Sequence, residues 1–270
     1  MRKWNDKVKK AVMLGTLCSI AYLAVYIARN VLSAVTPKMT LDGYAETYIG
    51  GASSLYFIFY AIGQLINGAI GDKIKAKYMM ALGLFCAGVT NLAFTVFPVS
   101  SSSATVAYAL TGFFLSMIYG PMTKVVSENV EPVYATRCSL GYTFASFFGS
   151  PLAGILATFF AWQSVFFVSS GALAVMAVTV LLVFGLFEKK GIVQYGQYKP
   201  KEKGVGNIKV LFRREIVKYS FVSILTGVVR TSVVFWLPTY IVQYLGFRAE
   251  TATAIYTVAT FAISFSAFIA

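Results

Sequence analysis

Two arginines stand where arginine is hard to place. Arg29 lies in CSIAYLAVYIARNVLSAVTP, 19 residues after Lys10 and 9 before Lys38. At the helical rise this is roughly 28 and 13 Å from the flanking charges. Arg230 lies in FVSILTGVVRTSVVFWLP, 12 residues after Lys218 and 18 before Arg248. Both should fall inside a hydrocarbon slab, where arginine costs about 2.5 to 3.5 kcal/mol, so each is expected to face a polar cavity or a partner. Planar guanidinium forks suit bidentate binding of phosphate better than lysine does. A phosphomonoester carries about −1.5 to −2 charge at neutral pH, which matches two such groups.

The ten acidic residues are Asp6, Asp42, Glu46, Asp72, Glu128, Glu131, Glu188, Glu202, Glu215 and Glu250, all outside the centres of the apolar runs. No carboxylate is therefore expected beside either guanidinium, and the natural counter-ion is an anionic cargo. Proton-coupled carriers place Asp, Glu or His in the membrane as a relay. Histidine is absent from this chain. Exchange of one anion for another meets the coupling requirement instead, because two desolvated cations are costly to occlude without an anion.

The elements that must hold these arginines follow from composition. The chain has 270 residues and is 58% hydrophobic but only 12% charged, with mean hydropathy +0.72. That is more apolar surface than one soluble core hides, so an all-α membrane protein is expected. Apolar segments long enough to span run over about 11–37, 48–70, 78–98, 104–126, 138–160, 162–187 and 219–244, and an eighth begins near 250. The eighth is still running at Ala270, so the chain is expected to be truncated on its C-terminal side. The first segment is too long for a secretory signal and is read as a retained span. Residues 1–190 are expected to form an N-terminal six-helix domain, 191–216 a cytoplasmic interdomain linker, and 217–270 the start of a second membrane domain.

The net charge of +13 does not point to nucleic acid, because the basic residues sit between apolar runs. Placing the N-terminus in the cytoplasm puts Arg2, Lys3, Lys7, Lys9, Lys10, Lys73, Lys75, Lys77, Lys124, Arg137 and nine linker residues inside, leaving Lys38 and Arg248 outside. A multi-pass protein of the inner (cell) membrane, in contact with the lipid bilayer, is expected. Cys18, Cys86 and Cys138 have no paired spacing and read as small side chains in apolar runs. No metal set, cofactor or catalytic nucleophile with a base is expected, so the chain does not read as an enzyme.

The two arginines also correspond to each other. Each stands in the first span of its block and is followed eight residues later by a proline, Pro37 and Pro238. Such correspondence is what a parallel repeat produces, with the substrate site between the halves. Tyr22 and Tyr26 stand seven and three residues before Arg29, hence on its helix face.

The Y-x-x-x-Y-x-x-R of Tyr22, Tyr26 and Arg29, Arg230 with WLPTY (Trp236 to Tyr240), and the stretch FEKKGIVQYG resemble the organophosphate:phosphate antiporter family of the major facilitator superfamily. The resemblance implies a major facilitator fold and rocker-switch exchange of a sugar phosphate or glycerol phosphate for inorganic phosphate. It makes Arg29 and Arg230 the phosphate site and Tyr22, Tyr26, Tyr60 and Gln64 pocket residues. Gln64 replaces a lysine of the glycerol-phosphate carriers, Ala145 a histidine and Gly227 a tyrosine, so the groups that read the organic part differ. GAIGDKIKAK resembles the superfamily's loop between spans two and three, giving Asp72 and Lys73 a gating role. Lys124, after Pro121, either lines the inner vestibule, pairs with Glu128 or snorkels. A full-length member is expected to be a monomer. Two other readings keep the fold: an organic-acid symporter, whose relatives put an acid beside the first-span arginine where this chain has Ala28 and Asn30, and a sugar-phosphate sensor without flux.

Overall fold

A computed structural model describes residues 6–71, 73–98, 101–196 and 214–269. Nine helices lie within them, one at the place of each expected apolar run, with the fourth run divided in two. They are α1 (Asp6–Leu41), α2 (Glu46–Gly71), α3 (Ala76–Val96), α4 (Ser102–Leu115), α5 (Tyr119–Asn129), α6 (Pro132–Phe159), α7 (Trp162–Lys189), α8 (Arg214–Gln243) and α9 (Ala249–Ile269). Among the described residues seven spans are long and apolar enough to cross a membrane, counting Ser102–Asn129 as one. Most of the expected linker, residues 197–213, lies outside the described residues.

The run expected over 104–126 is broken because Pro121 offers no N–H to the carbonyl four residues earlier and its ring crowds that turn. Residues 116–118 form a turn between α4 and α5. The polar groups exposed there are met locally: Ser116 Oγ donates to the Phe113 carbonyl at 2.6 Å, and Asn67 Nδ2 of α2 donates to Ser116 Oγ at 2.7 Å.

With no hydrophobic drive between helices in lipid, association rests on close packing and interhelical hydrogen bonds. Glycines mark the closest approaches. A Cβ at Gly149 would overlap the Tyr26 backbone, tying α6 to α1, and one at Gly112 would overlap the Tyr56 carbonyl, tying α4 to α2. Between α3 and α7, buried Asn91 donates to Ser169 Oγ at 3.0 Å and Ser170 Oγ at 2.9 Å. Cys18 and Cys138 are buried and Cys86 is half-buried, all as free thiols.

The ends of the spans define two sides. The near side holds the turns after α2, α5 and α7; the far side holds those after α1, α3, α6 and α8. On the near side an ion pair between Lys77 and Glu188 joins α3 to α7. Asn129 binds the backbone of Gln194 twice, accepting from its N–H at 2.7 Å and donating to its carbonyl at 2.9 Å. This clasp holds the chain leaving α7 against α5.

Replacing Gly149 by leucine drives a side chain into backbone rather than into a movable group, and overpacking of this kind costs about 3 kcal/mol. The expected outcome is a lower thermal midpoint in detergent for Gly149→Leu, with little change for Gly171→Leu, where open space surrounds the added Cβ.

Candidate functional site

Three helices carry internal prolines: Pro37 in α1, Pro151 in α6 and Pro238 in α8. Each removes the donor for the carbonyl four residues before it. In a bilayer such a carbonyl must find another partner. The carbonyl freed by Pro151 belongs to Phe147, and Ser264 Oγ of α9 donates to it at 2.9 Å. The carbonyl freed by Pro238 belongs to Val234; Ser33 Oγ of α1 donates to it at 3.1 Å and to the Phe235 carbonyl at 2.9 Å. The proline breaks thus become points where α8 and α9 dock on α1 and α6.

Beside these points lies a cavity of about 350 Å³. Tyr26, Arg29, Asn30 and Ser33 line it from α1, Phe57 from α2, Gly227 and Arg230 from α8; Thr143, Ser146 and Ser150 of α6 form another wall. The Arg29 guanidinium carbon lies 5.3, 5.2 and 4.9 Å from the ring centres of Tyr26, Phe57 and Tyr60. This cage of π-electron density holds the cation without a carboxylate, each ring contributing about 0.5 to 2 kcal/mol depending on desolvation. Arg230 has one such neighbour, Phe147 at 5.3 Å, and is exposed. Among the described residues neither arginine makes an ion pair. Arg29 and Arg230 are the charged residues in the lining.

Of the other residues singled out in sequence, Tyr26 lines the cavity and Tyr60 lies against Arg29. Gln64 is exposed one turn further toward the near side and is not part of the lining. Tyr22 is buried behind the site, edge-on to Tyr26 at 4.9 Å and 5.6 Å from Tyr119. Ala145 is buried on another face of α6. Lys73 is exposed and lines a separate near-side cavity of about 220 Å³ with Lys75, Lys124, Glu128 and Tyr195. Burial in that cluster raises the Tyr195 phenol above its ordinary range. Asp72 lies outside the described residues.

Sequence reasoning missed the hydroxyl wall of α6. Its signal was present as Thr143, Ser146 and Ser150, at i, i+3 and i+7, the spacing of one helix face.

The contacts α8 makes with α1 and α2 lie on the far side. Besides the Ser33 bonds, Gln243 binds Glu46, and Trp236 packs 3.1 Å from where a Cβ on Gly50 would sit. On the adjoining helices Thr158 Oγ1 meets Thr253 Oγ1 at 3.3 Å, and Gly154 leaves no room for a Cβ beside Thr257. Toward the near side α8 is exposed throughout residues 215–230. These contacts form a far-side seam that joins α8 and α9 to α1, α2 and α6.

A family model described as Major Facilitator Superfamily matches residues 18–270. The chain is 25% identical over 267 residues to the glycerol-3-phosphate transporter of Bacillus subtilis (strain 168), covering 90% of this chain and 60% of that protein. It is 27% identical over 266 residues to the phosphoglycerate transporter protein of Salmonella typhimurium, covering 86% and 56%. The chain thus spans less than two thirds of the length of these relatives. In fold it is similar to the POT family transporter PepTSo, with a TM-score of 0.50 at 18% identity over 97% of this chain and 53% of that one.

Ser33→Ala would leave the Val234 carbonyl without a partner, and an unmet buried acceptor costs about 1 to 3 kcal/mol. The expected outcome is a far-side seam that opens more readily, read as faster labelling of a cysteine introduced at Gly50 by a membrane-impermeant maleimide. Unchanged labelling would remove Ser33 from the seam.

Proposed function

Because the chain belongs to the Major Facilitator Superfamily, we propose that the full-length protein carries a phosphorylated organic anion across the membrane in exchange for inorganic phosphate, with Arg29 and Arg230 holding the phosphoryl group. One observation carries this reading: guanidinium groups from two separate spans line a single cavity whose lining residues include no carboxylate. The names of the two transporter relatives, for glycerol 3-phosphate and for phosphoglycerate, support a phosphate-ester cargo.

The exchange follows from electrostatics. In the low dielectric of the membrane two guanidinium groups repel each other and lack their water. With a phosphate dianion between them the charges cancel, and the site can be sealed and turned to the other side. Without an anion the same movement encloses two bare cations, so return occurs only after another anion binds.

Alternating access is the accompanying movement: residues 1–190 form one body, 217–270 begin the second, and 191–216 link them. With the N-terminus in the cytoplasm of a cell whose inner membrane holds the protein, the near side is the cytoplasmic side. The far-side contacts are then the outer gate, and Lys73 with Asp72 belongs to the inner one.

Lysine in place of either arginine keeps the charge but loses the fork, removing charge-assisted bonds worth about 1.5 to 3 kcal/mol. Arg29→Lys and Arg230→Lys are each expected to slow phosphate exchange about 10- to 100-fold in proteoliposomes, and near-normal rates in both would sink the site. Uptake of labelled phosphate should stop when the liposome interior holds no anion to exchange. Equal uptake with and without internal anion excludes obligatory exchange.

A further inference from the structure

Arg29 and Arg230 correspond in sequence, but the residues one turn before them do not. Tyr26, three residues before Arg29, puts its ring centre 5.3 Å from the guanidinium carbon, so the first arginine leans on a ring of its own helix. Three residues before Arg230 stands Gly227, where an added Cβ would meet open space. The ring beside Arg230 comes instead from another helix: Phe147 of α6, its centre also 5.3 Å from the guanidinium carbon. What α1 supplies to its own arginine, α6 supplies to that of α8.

Phe147 is well fixed for such a task. Its carbonyl, freed by Pro151, accepts from Ser264 Oγ at 2.9 Å. The next residue, Phe148, meets Phe261 and Phe265 of α9 edge-on, with ring centres 5.9 and 6.0 Å apart. Gly149 then rests on α1, where a Cβ would come within 2.4 Å of Tyr26 Cβ and 2.9 Å of the Tyr26 carbonyl oxygen. Three consecutive residues thus reach three helices. At 3.6 residues per turn Phe147 and Gly149 point about 200° apart. One turn of α6 therefore stands between the supports of the two cations, with the backbone of Tyr26 on one face and the Arg230 guanidinium on the other.

An arginine side chain has many rotamers, and ordering them when an anion binds costs entropy. A ring face that attracts the cation selects among those rotamers beforehand. Residues 215–230 of α8 are exposed, and Gly227 offers no side chain for Arg230 to lie along, so the ring from α6 has this part to play.

We propose that Phe147 is a positioning residue for Arg230, holding from α6 the place that Tyr26 holds for Arg29, so that the turn Phe147–Gly149 sets the separation of the two guanidinium groups that grip the phosphoryl group. The inference rests on the phosphate-exchange reading above and adds how the second cation is placed.

The experiment measures exchange of labelled phosphate by the full-length protein in proteoliposomes over a range of phosphate concentrations. Phe147→Leu keeps the apolar bulk and loses the ring. It is expected to raise the half-saturating phosphate concentration about 3- to 10-fold, with the maximal rate changed by less than about threefold. Phe147→Tyr keeps the ring and is expected to stay within about twofold of the unsubstituted protein. In a Gly227→Tyr protein, where α8 carries its own ring, Phe147→Leu is expected to shift half-saturation by less than about twofold. Unchanged half-saturation in Phe147→Leu, or an equal rise in Phe147→Tyr, overturns the positioning role while leaving phosphate exchange standing. So does a full-sized effect of Phe147→Leu in the Gly227→Tyr protein. Absence of any phosphate exchange by the unsubstituted protein overturns the underlying reading instead. If Phe147→Leu does not fold, Phe147→Met is measured in its place. If the Gly227→Tyr protein does not exchange, the contrast between ring-bearing and ringless substitutions at Phe147 decides.

Discussion

Pro151 and Pro238 each leave one helix carbonyl without the donor its own helix would supply, and inside a bilayer a neighbour has to make up that deficit. Ser264 and Ser33 do so. Much of the site's geometry follows. The two bonds fix where α9 meets α6 and where α8 meets α1, and between those meetings lies the cavity that both arginines reach. A backbone defect in two helices thus acts as the joint between them. The joint is polar, directional and weak, each such bond contributing about 1 kcal/mol net. In lipid, where helices have no hydrophobic drive to associate, such bonds set a register that apolar contact alone leaves open.

Arg29 and Arg230 are held differently although their sequence surroundings correspond. Arg29 sits half-buried among three rings that offer their negative faces. Arg230 has one ring and lies exposed on α8. The caged arginine is held on three sides within the bundle, and the other on one.

Much of this was legible in the residues. The spans were set by hydropathy, and the two arginines stood out because charge within an apolar run has no innocent explanation. The break between α4 and α5 was carried by Pro121, but the apolar run continues across it and hydropathy does not register the turn. Tyr22 and Gln64 share a helix face with true lining residues and still fall behind or beside the cavity. Spacing gives the face of a helix, but not which turn of that face the neighbouring helices leave uncovered. The hydroxyl wall escaped notice because serine and threonine are unremarkable in apolar helices until their shared face is seen.

The far-side seam is thin: a few hydroxyl–carbonyl bonds, the Gln243 and Glu46 contact, and glycines that let backbones touch. Each of these contacts is short and directional, and hydrogen bonds weaken steeply with misalignment, so a small tilt of α8 loosens several of them at once.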